Sequence, residues 1–128
     1  MSGADRNTRL HLAMGHVVTI ATLVVIAAGF DLVPRAIAMI AALGAMIALV
    51  FMFTTRRNDE WVASLWSAGA SAGFLGAIGW LLFAPFIEGV IDGIRGGEAA
   101  QDLPAFAASI VALACFALAF NLKRPRGY

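Results

Sequence analysis

The chain has 128 residues, 61% of them hydrophobic and 13% charged, with a formal net charge of +1 and a mean hydropathy of +0.85. Soluble domains run about half apolar and about a quarter charged, so a soluble fold of this size cannot hide so much apolar surface, whereas lipid would cover it. No basic block suggests a nucleic-acid partner, and the single cysteine, Cys115, excludes an internal disulfide or a CxxC redox or zinc motif.

The expected fold is all-α: one transmembrane domain over residues 1–128, a bundle of four transmembrane helices with a short amphipathic extension after the third. Each apolar run approaches the ~20 residues that cross ~30 Å of hydrocarbon. Lipid offers the backbone no partners, which favours helices, and the polar–apolar alternation of barrel strands is absent.

The first span is expected from about Leu12 to Phe30. Arg6 and Arg9 before it, and Ala27-Ala28-Gly29 near its end, faintly resemble a signal peptide. Its apolar run is longer than a usual signal core, so it reads as a retained span. His11 and His16 are five apart and point to different faces, unlike an i,i+4 metal pair. His16 starts a thin polar stripe with Thr19 and Thr22. Intramembrane polar residues are functional candidates by default, so His16 and Thr19 are singled out. The simpler expectation is a neutral His16 bonded to a carbonyl or a neighbouring helix, with threonines bonded to their own helix.

Asp31 and Pro34 are placed as the cap and first-turn proline of a second span, from about Ala36 to Phe53. Asn58, Asp59 and Glu60 put negative charge at the start of a third, from Trp61 to about Ile87. Trp61, Trp66 and Trp80 are expected toward the two ends of that span, in the headgroup zone. Pro85 should bend the helix. Beyond it, Phe86, Ile87, Val90, Ile91 and Ile94 recur at helical spacing opposite Glu88, Gly89, Asp92, Gly93 and Arg95, an amphipathic helix suited to a membrane surface. Gly96-Gly97 should end it, and Asp102 with Pro104 should open a fourth span, from about Leu103 to Leu122.

Seven of the nine basic residues (Arg6, Arg9, Arg56, Arg57, Lys123, Arg124 and Arg126) fall on the side holding both termini, and Arg35 and Arg95 fall on the other. The positive-inside rule places both termini in the cytoplasm, and the expected location is a bacterial inner membrane. The opposite side is acidic: Asp31, Glu88, Asp92, Glu98 and Asp102.

Small residues recur on one face of each later span: Gly69, Ala72, Gly73 and Gly76 in the third; Ala105, Ala108, Ala112, Cys115 and Ala119 in the fourth; Ala38, Ala41, Ala45 and Ala48 in the second. Such faces let helices approach closely. The plainest expectation is packing within the bundle, centred on Gly69, Gly73, Gly76, Ala108 and Ala112. The sharper one is an oligomer seam or a membrane-protein partner.

Glu88 and Asp92 share a helix face and could hold a divalent cation or a proton, unless Arg95 neutralises them. Two carboxylates alone bind a divalent ion weakly; Glu98 and Asp102 could add oxygens. No carboxylate or basic residue sits near the middle of a span, as coupled transporters and proton pumps usually require. No phosphate loop, dinucleotide fingerprint or hydrolase set is present, and no cofactor is implied. A non-enzymatic accessory, scaffold or oligomer-forming subunit is expected. The alternative is a small-solute or ion channel or transporter with an acidic outer mouth. An enzyme ranks third.

Overall fold

A computed structural model describes residues 3–57, 59–96 and 107–126 of the chain. The described chain is all-helical: α1 Gly3–Gly29, α2 Arg35–Thr55, α3 Glu60–Arg95 and α4 Ala107–Lys123, closed by a short 3-10 turn, Arg124–Arg126. The first three helices are long and apolar enough to cross a membrane, which is consistent with an integral membrane protein. The fourth is a shorter apolar helix of 17 residues.

The helix ends differ in part from the sequence reading. Helix α1 starts nine residues before its apolar run, with Asp5 in its first turn, where a carboxylate faces the positive end of the helix dipole. Asp31 does not cap α2. It closes α1 with a left-handed backbone, φ 58°, while Leu32 N–H bonds to the Ala27 carbonyl and Asp31 N–H to the Ala28 carbonyl. That pair of bonds is a Schellman closure, which satisfies carbonyls that the last turn leaves without partners. Pro34 is itself the N-cap of α2 and supplies no side-chain bond. Asp59 caps α3, its carboxylate accepting from Trp61 N–H at 3.1 Å. Helix α3 then runs unbroken through Pro85 for 36 residues and stops at Gly96, left-handed at φ 69°. The amphipathic segment after Pro85 is thus the end of α3, not a separate helix. Gly97, Glu98, Asp102, Pro104, Ala105 and Asn58 lie outside the described residues.

The helices form two antiparallel hairpins, α1 with α2 and α3 with α4. The hairpins join mainly through α1 and α4, and α2 barely touches α3. Small residues decide the first hairpin: Ala45 and Ala48 are each 1% exposed on α2. In the second, Gly73 lies against the Ala112 backbone, Gly69 against the Phe116 ring and Gly76 against Cys115.

The core occupies one end of the bundle, the end holding the α2–α3 turn and the start of α1. Val18, Ala48, Met52, Leu65, Phe116 and Phe120 form it. A run of aromatic contacts crosses all four helices there. Phe53 meets Trp66 edge-on at 6.0 Å, Trp66 meets Phe116 at 5.6 Å, Phe116 stacks on Phe120 at 6.2 Å, and His11 tilts onto Phe120 at 6.1 Å. Such pairs are worth roughly 0.5–1.5 kcal/mol each beyond area burial. Two of the tryptophans also pack within the bundle: Trp66 belongs to the aromatic run, and Trp61, at the start of α3, packs on the core. Trp80 falls mid-helix rather than at an end of α3.

Candidate functional site

A group of polar side chains gathers at the core-bearing end, where α1 meets α2 and α4. His11 is fully buried, and its Nδ1 lies 2.9 Å from Thr55 Oγ1. The Thr55 hydroxyl donates its own hydrogen to the Phe51 carbonyl at 2.9 Å. His11 Nδ1–H is therefore the donor to Thr55, and the neutral ring is left with Nε2 as an acceptor. Nε2 is buried with no hydrogen-bond partner, as is Trp61 Nε1.

One turn further along α1, His16 is exposed and accepts from Arg124 Nη1, 2.5 Å from its Nε2. Thr19 follows on the same face. Its hydroxyl donates to the Gly15 carbonyl at 2.9 Å and accepts from Asn121 Nδ2 at 2.9 Å. Thr22 turns back onto the Val18 carbonyl at 2.7 Å. The stripe His16–Thr19–Thr22 thus lies along α4, which supplies Asn121, and the 3-10 turn after it, which supplies Arg124. Its polar groups bond to backbone and to the neighbouring helix.

Sequence reasoning missed His11, although the signal was available. His11, Gly15, Val18 and Thr22 recur at intervals of four, three and four, the period of one helix face, and all four are buried. The chosen residue, His16, sits on the exposed side. The aromatic run was missed as well, because Phe116 and Phe120 mark a face of α4 without naming the helix they meet.

The carboxylate candidates lie at the far end of α3. Glu88 is buried beside Ala84, one turn away, and Asp92 is half-buried. Both have interaction partners. Arg95 is the last residue of α3, and its side chain lies outside the described ones, as do Glu98 and Asp102. Among the described residues, no three His, Cys, Asp or Glu side chains gather as a metal site would require. A separate open recess of about 610 Å³ lies at the turn joining α1 and α2, where Asp31 and Arg35 meet Val25, Ala28 and Ile110.

The packing candidates are placed by the second hairpin. Gly69, Gly73 and Gly76 all face α4 of the same chain, the Ala112 backbone packs against Gly73, and Ala108 is buried. No known protein family, curated protein or solved structure matches the chain.

Proposed function

We propose that the chain is a four-span protein of a bacterial inner membrane with both termini in the cytoplasm, acting by helix–helix contact as an accessory, scaffold or oligomer-forming subunit. The observation that carries this reading is the apolar surface that the fold leaves uncovered. Ile40, Leu43, Met46 and Val50 on α2, and Phe74, Leu82 and Phe86 on α3, are all exposed, far beyond the scattered apolar residues of an ordinary protein surface. Lipid and neighbouring membrane helices are the surroundings that suit such faces. Helices α1 and α2 rise about 40 and 32 Å, α3 about 54 Å and α4 about 26 Å, against ~30 Å of hydrocarbon. Tilt accommodates the long α3 and local bilayer thinning the short α4. The orientation rests on the positive-inside rule.

Since α4 of the same chain fills the Gly69–Gly73–Gly76 face, contact with another protein would use the outer faces of α2 and α3. The test is the mass of the assembly extracted from its own membrane with its lipid belt, together with cross-linking from cysteines placed at Ile40 and Ile47 in a Cys115→Ala background. A defined particle heavier than one chain, cross-linked at these positions, supports contact as the function. A monomer that cross-links to nothing contradicts it.

A burial observation favours the second reading, a channel or transporter. A carboxylate is rarely buried without purpose, and Glu88 is 9% exposed. Glu88→Gln/Asp92→Asn should then lower cation flux in liposomes, and unchanged flux removes this reading.

A further inference from the structure

We infer that the groove between α1 and α4 seats one anionic phospholipid, with an acyl chain along the groove and the phosphate on Arg124. This rests on the membrane reading above. The groove is open, about 330 Å³, and nearly wholly apolar, walled by Leu23 and Ile26 of α1 and by Ala114, Ala117 and Leu118 of α4. That volume lies at the lower end of the ~300–1,000 Å³ typical of ligand sites. Thr19 and Asn121 also line it, and they bond to each other.

The same two helix faces continue one turn on to His16 and Arg124, which also bond to each other. Arg124 and His16 do not line the groove itself; they lie one turn beyond its polar end at Thr19 and Asn121. An apolar trough with a cation beyond one end complements a chain with an anionic head. Charge fixes the class: Lys123 adjoins Arg124, and Arg9 lies seven residues before His16 on the same face of α1. Among the described residues, the hydrogen bonds of Arg124 run from Nη1 to His16. Guanidinium has five N–H donors in a fork that matches phosphate, and His16, as an acceptor, aims that fork.

The experiment uses the full chain, purified in a neutral detergent, with phosphatidylglycerol, phosphatidylcholine or inorganic phosphate added. Native mass spectrometry counts retained lipids, and thermal unfolding measures stabilisation. One retained phosphatidylglycerol per chain is expected, with a rise in Tm that phosphatidylcholine and inorganic phosphate do not give. Arg124→Gln should weaken retention about tenfold, as for loss of one charge-assisted hydrogen bond, while Arg124→Lys keeps part of it. Leu23→Ala and Leu118→Ala, at exposed positions that folding tolerates, should weaken retention without removing the preference for the anionic head. Equal retention of both lipids, indifference to Arg124→Gln, or an equal effect of inorganic phosphate overturns the inference. So does a groove variant that changes oligomeric state instead of lipid retention, which would make the occupant a second copy. Release of the chain from membranes by alkaline carbonate would instead overturn the membrane reading, so the two failures are distinguishable.

Discussion

Adding a single methyl group at Gly15 probes the point where the two hairpins lock. A Cβ there would overlap the Phe120 ring, 2.5 Å from Cζ, where carbon atoms ordinarily sit ~3.5–4.0 Å apart. Phe120 is fully buried, stacked on Phe116 on one side and near His11 on another, so the ring can shift only by displacing its neighbours. Overpacking of this kind costs about 1–3 kcal/mol. The better helix propensity of alanine offsets about 1 kcal/mol of that. Gly15→Ala should therefore destabilise by up to about 2 kcal/mol. Gly44 and Gly79 have open space where a Cβ would go, and alanine there should stabilise by about 1 kcal/mol. The two classes should thus differ by about 1–3 kcal/mol in reversible unfolding in mixed micelles. Pairing Gly15→Ala with Phe120→Leu should recover part of the loss, because the two sites touch and their effects are not additive. A Gly15→Ala variant as stable as Gly44→Ala would refute the close packing of α1 on α4.

Two further outcomes follow from local geometry. Asp31→Gly should raise stability by about 0.5–1 kcal/mol, since glycine adopts the left-handed backbone of the α1 closure without steric cost; equilibrium unfolding of that variant measures it, and a loss would contradict the closure. Thr55→Val should lower stability by about 0.5–1.5 kcal/mol, because His11 loses its hydrogen bond to the Thr55 hydroxyl; with His11→Phe in the background, the same substitution should have a much smaller effect.

The helix count and order were legible because four long apolar runs are separated by turn residues. Helix ends were less so. Hydropathy marks the apolar part of a helix, so the polar first turns of α1, from Gly3 to His11, were invisible to it. Pro85 looked like an interruption, yet a proline removes only one donor from the ladder, and α3 continues through it. Asp31 suits either end of a short connection. Its neighbour Pro34 suggested the start of α2, whereas the carbonyls of Ala27 and Ala28 claim the turn for α1. The small-residue faces were readable from spacing alone, but which helix each one meets depends on how the hairpins fold. The polar end of the bundle was half legible: Thr19 and His16 stood out, and Asn121 and Arg124 could not be matched to them across more than 100 positions of chain. His11 needed knowledge of its neighbours, since a histidine's burial is set by what packs over it.

Sided labelling of single cysteines tests the four-span arrangement most directly. Cysteines at Ser2, Arg57 and Glu98, each in a Cys115→Ala background, are exposed in intact cells to a membrane-impermeant thiol reagent and then again after permeabilisation. Four spans with cytoplasmic termini predict labelling of position 98 in intact cells, and of positions 2 and 57 only after permeabilisation. Labelling of position 2 in intact cells with protection of position 98 would contradict the orientation, and equal labelling of all three in intact cells would contradict the membrane-spanning fold itself.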